Sequence, residues 1–488
     1  MATPVGPMST ADDIEGQKVA TSNETSAPDE EDLLPVVDDV PFLVWLFAFV
    51  GAAERFAWYG ATSPLQNYIQ HSPSSNIPGV LGLREATATN IVNAMMAAGY
   101  LATIPAAVMA DMWLGRYKTI LVSDLIQLCG SAILFGASFP RAVQAGTANG
   151  GLATAIVLIA LGSGGVRSSV APFIAEQYTE INPKVKVLKN GQKVIPDREL
   201  TVQYIYNDGK FQRPPSGSVL PQASRAMIYG IREGFQMDEA KPEKQQEKHY
   251  RQVPWADTFI GELKSGLLAC RVFLLFPIHW LCLNQTFNNL ISQAGQMVDS
   301  GVPNDTIKSL NPIASIILTP VVSRGLYPFL TRRRIRFRPM ARIVMGFLFL
   351  TLAMVYTAIL QKLVYSTGPC YDRPLTCPES DHGQIPNQIS MFLQTPIYVL
   401  GVIAEIFFFT TGTEYAYNQD PKTMKSVVQS VWMATAGVGA CLAMVFTPIT
   451  KDSHLVIMYS SLAGVMAVTT VLFRVFFGKH DREKAVLL

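Results

Sequence analysis

Apolar residues fall into ten long runs along the chain, at about residues 41–65, 88–109, 117–138, 151–174, 266–292, 308–330, 340–362, 388–412, 425–448 and 454–477. A bilayer-crossing helix needs roughly 20 mostly apolar residues, because hydrocarbon leaves backbone N–H and C=O groups no partners but one another. Each run meets that length, so the pattern predicts an all-α polytopic membrane protein. The runs divide the chain into a polar tail (1–40), a four-helix bundle (41–175), a polar linker (176–265), a six-helix bundle (266–478) and a short tail (479–488). The linker carries KVKVLKNGQK, RPPSGS and EAKPEKQQEKHYR, which cannot span, and it reads as short helices in water.

Composition narrows the class. Apolar residues make up 49% of the chain and charged residues 16%, where soluble chains carry roughly 25% charge. A net charge of +2 gives no reason to expect a nucleic-acid partner. The sequence has no zinc spacing, HExxH helix or phosphate loop, and the spans hold no nucleophile–base set, so neither a cofactor nor an enzyme is expected. The first forty residues are acidic, with no basic stretch ahead of an apolar one. They read as a disordered cytosolic tail without a cleaved signal peptide.

Basic residues in short loops set the orientation. Arg116 and Lys118, the segment TRRRIRFR at 331–338, and Lys422 with Lys425 all fall on one side, with both termini and the linker. That side is expected to be cytosolic. The loop at 363–387 then faces outward, where Cys370 and Cys377 in CYDRPLTC are close enough to form a disulfide; two free thiols are the alternative. Asn304-Asp305-Thr306 is a glycosylation sequon on the same side.

Charge inside the spans is the strongest functional signal. The first run contains GAAERFAWYG, residues 51–60, with Glu54 and Arg55 near mid-span. Each costs about 2.5–3.5 kcal/mol at a helix centre, so such residues face a cavity or a partner. Helical spacing puts Arg55 on a face with Gly51 and Tyr59, and Glu54 on a face with Trp58. The fourth run adds Arg167 in GSGGVRSSVAP, and the eighth adds Glu405 in YVLGVIAEIFFFTTG. Two buried cations and one or two carboxylates suit a zwitterion: Arg55 gripping a carboxylate bidentately, Glu405 accepting an ammonium. A structural ion pair between helices is the competing reading. Trp280, Asn284, Gln285, Asn288, Asn289, Asn311, Gln429 and Trp432 line a cavity or hydrogen-bond between helices; His279 reads as packing. In ADMWLGRYKTI, Asp111, Gly115 and Arg116 form a tight turn at a span end, with a gating role expected.

These residues together resemble the proton-dependent oligopeptide transporters of fungal type, within the major facilitator superfamily. The resemblance rests on AERFAWYG, ADMWLGRYKTI, GSGGVRSSVAPFIAEQY, NPKVKVLKNGQKV, RPPSGSVLPQA, NQTFNNLISQAGQM, LNPI and TGTEYAY, from residue 51 to about 418. It implies two helical bundles around a central cavity with alternating access, short peptides and protons as partners, a proton gradient as driving force, and residence in the plasma membrane. It implies peptide-binding roles for Arg55, Tyr59, Arg167, Asn311, Glu405 and Trp432, and proton-coupling roles for Glu54 and Glu405.

Three departures qualify the likeness. The family motif E-x-x-E-R reads G-x-x-E-R here, so Gly51 removes a carboxylate one turn from Arg55. Arg167 stands in place of a lysine and cannot act as a neutral amine. The family has twelve spans and this chain has about ten (4 + 6); the fifth and sixth are expected to be missing, with the junction near Ile205–Gln212. Two readings follow: a secondary active transporter of di- and tripeptides, ancestrally proton-coupled, or a truncated, non-transporting peptide-binding remnant or membrane sensor.

Overall fold

Every predicted run is helical in the computed structural model, which describes residues 34–36, 42–176 apart from 74, 76 and 78, 186–187, 193–196, and 219–478 apart from 235, 300, 334–336, 382–383 and 418–424. The helices used below are α1 (Phe42–Thr62), α2 (Glu85–Met109), α3 (Arg116–Ala137), α4 (Ala148–Glu176), α5 (Leu220–Arg232), α6 (Pro242–His249), α7 (Asp257–Ala269), α8 (Phe276–Leu283), α9 (Asn289–Gly295), α10 (Leu310–Pro320), α11 (Tyr327–Arg332), α12 (Pro339–Tyr365), α13 (Thr395–Glu405), α14 (Thr411–Tyr417), α15 (Lys425–Phe446) and α16 (Leu455–Phe477). Among the described residues, eight helical stretches are long and apolar enough to cross a membrane. α1 and the helical stretch through α10 and α11 occupy the other two predicted runs.

The fifth run is not one continuous α-helix. It passes through 3-10 turns at Cys270–Leu275 and Asn284–Phe287 before α9. Asn288 supplies the break: its backbone leaves the helical region, and its side chain accepts from the Asn289 N–H at 2.6 Å. Asparagine competes with helical backbone bonding in this way wherever its side chain reaches a nearby amide. Wider, π-helical turns interrupt three other stretches, at Ala110–Leu114, Val321–Leu326 and Ile406–Thr410. The last begins directly after Glu405.

Small residues let the N-terminal helices approach closely. α4 packs along α2 and α3, and a β-carbon added at Gly162 would lie 2.6 Å from the Ser123 carbonyl oxygen. The C-terminal helices enclose a larger core built on Phe273, Phe276, Phe347, Phe408, Trp432 and Phe473. α2 lies along α15 and joins the two bundles. The linker helices α5 and α7 share a core with Ala240, Trp255 and Val427.

The described residues 34–36, 186–187 and 193–196 belong to a separate compact unit. In it β1 (Leu34–Val36) pairs in parallel with β3 (Lys193–Pro196), which pairs antiparallel with β2 (Lys186–Val187). The tail expected to be disordered thus contributes a strand, and the linker, read as short helices, also holds two short strands. The β-branched Val36, Val187, Val194 and Ile195 favour extended backbone. The remainder of the tail, the end at 479–488 and the junction at Ile205–Gln212 lie outside the described residues.

Candidate binding site in the spans

The charged residues found by sequence sit on α1, α4 and α13. Arg55 Nε lies 3.1 Å from Glu54 Oε2; the Glu54 side chain is buried, at 8% exposure, and that of Arg55 is 38% exposed. Gln127 of α3 donates to the other Glu54 oxygen at 3.2 Å. Glu54 is therefore the neighbouring counter-ion of Arg55, whereas helical spacing had put the two on separate faces. Pairing leaves the guanidinium with donors to spare, since it carries five.

Arg167 is held differently. Its guanidinium carbon lies 4.5 Å from the centre of the Tyr100 ring and 5.0 Å from that of Trp58. Its Nε and Nη1 are enclosed without a hydrogen-bond partner. It lines a small cavity with Trp58, Met95, Met96, Gly99, Ile159 and Ser163. Aromatic faces stabilise a cation without using up its N–H donors, so this arrangement keeps a positive group ready for an anion.

Glu405 ends α13 and accepts a hydrogen bond from Asn311 of α10. Tyr59 is near enough to interact electrostatically with Glu405, Arg55, Arg167 and Tyr100 at once. Arg55, Arg167 and Tyr59 thus interact with one another, and Glu405, held by Asn311, is linked to them through Tyr59. The structure does not bring Trp432 to them. Trp432 is fully buried, with ring centres of Phe276 at 5.4 Å and Phe408 at 5.3 Å, and the close Gly412 backbone covers its far side. Its assignment as a peptide contact is replaced by a core role. His279 is packed as expected, its ring stacked on Phe408 at 3.7 Å.

Of the two outlets open to the polar residues of the fifth run, Asn288 and Asn289 take the bond between helices. Asn288 donates to Asn93 at 3.0 Å and Thr89 to Asn289 at 2.8 Å. Asn304, first residue of the sequon, is 5% exposed and exchanges hydrogen bonds with Asn67, so it is closed to glycosylation in this state. Asp111 and Arg116 pair at 3.4 Å across Gly115, whose φ of 72° suits glycine. Cys370 and Cys377 form a disulfide, with α-carbons 5.4 Å apart. Among the described residues no three His, Cys, Asp or Glu side chains are grouped to hold a metal. Sequence reasoning missed Tyr100, because an aromatic on an apolar run looks like ordinary core.

Comparison with known proteins agrees with this architecture. The family model "PTR2: POT family" matches residues 117–189 and 202–464. Peptide transporter PTR_C of Candidozyma auris is 36% identical over 515 aligned positions, covering 95% of this chain and 89% of that protein. Peptide transporter PTR_A of the same organism is 34% identical over 508, covering 94% and 85%. Both alignments are longer than the 488-residue chain, so the relatives carry segments this chain lacks. The shortfall is roughly fifty positions in all. A crystal structure of the POT family transporter PepTSo superposes with a TM-score of 0.66 at 20% identity, covering 91% of this chain and 99% of that one. Helical content, fold and sequence therefore converge, and the chain belongs to the POT family.

Proposed function

We propose that this membrane protein carries short peptides across the bilayer by alternating access, with Arg55 taking the peptide carboxylate and Glu405 its ammonium. The observation that carries the reading is the position of Tyr59, in electrostatic reach of two cations on one bundle and a carboxylate on the other. A dipeptide offers opposite charges at its two ends, and its binding draws the bundles together. Relatives named as peptide transporters, at up to 36% identity over nearly the whole chain, support the substrate class.

The basic segments favour a cytosolic side for both termini and the linker, and the likeness to fungal peptide transporters supports the plasma membrane as the resident membrane. Asp111, Gly115 and Arg116 gate the cytosolic end. Glu54 and Glu405 are the carboxylates that serve proton coupling, Glu54 giving up its contact with Arg55 when a peptide takes the guanidinium. The two absent spans are the family's fifth and sixth, which fits the exposure of Phe56 on α1 (82%) and Ile316 on α10 (75%). That exposure also favours the second reading, a peptide-binding sensor that does not transport.

Uptake into liposomes separates the readings. A transporter accumulates labelled dipeptide under an imposed inward proton gradient and loses accumulation when the gradient is collapsed. Saturable binding with no accumulation in either condition establishes the sensor instead.

A further inference from the structure

A second polar system lies outside the mid-membrane site, at the end of the bundle that carries the disulfide. Side chains of the two bundles meet there in a seam: Asn67 with Asn304 at 2.7 Å, Gln70 with Ser292 at 3.1 Å, Thr89 with Asn289 at 2.8 Å, Asn93 with Asn288 at 3.0 Å and Asn90 with Thr447 at 2.6 Å. All are neutral pairs. Two carboxylates stand among them. Glu85, at the start of α2, accepts from Ser292 of α9, and its Oε1 is enclosed without a hydrogen-bond partner. Asp452, between α15 and α16, accepts from Gln296 at 2.8 Å and Tyr365 at 3.1 Å. The two acids belong to opposite bundles, and they accept from Ser292 and Gln296, one helical turn apart on α9 and its C-terminal cap, so that ionised Asp452 works against ionisation of Glu85.

Asp452 is not placed by chance. Gln394 donates to Gln293, Gln293 to Gln361, Gln361 to Gln296 and Gln296 to Asp452, at 2.8, 2.7, 3.1 and 2.8 Å. A directed chain of amides polarises each successive bond and fixes the carboxylate facing the seam. The other ionisable groups around it are Tyr459 of α16, Asp372 of the disulfide loop, and Arg84, Lys451 and His454, which are exposed to solvent. On neighbouring elements His71 follows the short helix 65–70, and Asp305 engages Lys308.

We propose that Glu85 and Asp452 form a proton-binding pair across this seam, and that protonating them from the outer solution seals it. An enclosed carboxylate with no cation costs free energy that a neutral carboxyl does not. The sign follows from Asp452, whose carboxyl burial pushes up to about 6, against about 3.9 in open solvent. The sealed form therefore holds its proton more tightly than an opened, wetted form. Sealing is favoured as pH falls through that interval, and the seam loosens as pH rises above it. The pair offers a route to proton coupling that does not need the carboxylate lost at Gly51.

The proposal rests on the transporter reading, because a seal has meaning only in a protein that opens and closes. Its test does not require transport. Ile77 lies against Gly295 within the seam, and Ala145 is exposed in a loop at the same end. In intact cells expressing the full chain, a membrane-impermeant maleimide is applied to Ile77→Cys, with Ala145→Cys as the reference for thiol chemistry and the parent chain as background. Normalised labelling at position 77 is expected to rise about tenfold between pH 4.5 and 7.5. In Glu85→Gln/Asp452→Asn it should stay low across the range. Each single substitution should shrink the response and serves if the double variant fails to reach the surface. A flat response without substitutions, or an unchanged response in the substituted proteins, overturns the pair. Loss of gradient-driven uptake with the labelling response intact would instead sink the transporter reading.

Discussion

The C-terminal bundle closes around rings. Trp432, Phe276, Phe347 and Phe408 interlock, and even the titratable His279 lies flat against Phe408. The N-terminal bundle closes around small side chains, among them Ala97, Ala155 and Ala160, with α4 drawn close to its neighbours by glycine. Close backbones leave their free volume beside Trp58 and Arg167, where a cation rests on aromatic faces. Tryptophan thus does opposite things in the two halves. Trp432 is a plug that excludes water, and Trp58 is a wall that helps to hold a charge. The difference teaches that residue type in a span says little until the helix packing around it is known.

Four substitutions press on that contrast. The largest effect is expected from Trp432→Ala, which removes a fully enclosed ring from the aromatic half and should cost about 3–5 kcal/mol. It should read as a lowered melting temperature or lost expression; retained stability with weakened peptide binding would return Trp432 to the site. Next come Arg55→Ala and Glu405→Ala. Losing a charge-assisted contact of about 1.5–3 kcal/mol should weaken dipeptide binding about 10- to 100-fold in a titration, with melting temperature held. Unchanged binding in either would remove that residue from the site. The smallest effect is expected from Asn67→Ala, which deletes one neutral bond between the halves, worth about 0.6 kcal/mol in a membrane. Labelling at Ile77→Cys should rise by no more than about threefold, since 1.4 kcal/mol is a factor of ten; a far larger rise would make that bond the latch of the seam.

Legibility followed the physics of each feature. Span positions depend on local hydropathy, and all ten predicted runs are helical. The charged residues stood out because ions in hydrocarbon are costly wherever they point. The bend between Asp111 and Arg116 was local and could be read from Gly115. Trp432 was assigned to the site, and the asparagines of the fifth run stayed open between two readings, because a polar or amphipathic side chain in a span has two outlets, a cavity or a neighbouring helix. Spacing along one helix does not choose between them. The strand at Leu34–Val36 was hidden for a related reason: its partner lies more than 150 residues away, and short strands carry little signal of their own. Glu85 and Asp452 sat at span ends, where a carboxylate looks unremarkable until the other bundle folds over it.

α1 carries Phe49 and Phe56 on its uncovered side, at 71% and 82% exposure. Acyl chains must complete that wall, so the amphiphile chosen for purification becomes a structural component of the pocket. Detergents with short tails should loosen α1 and blunt ligand affinity, while a disc of native-length phospholipid should restore both. Affinities measured in two different solubilising media would then describe two different pockets.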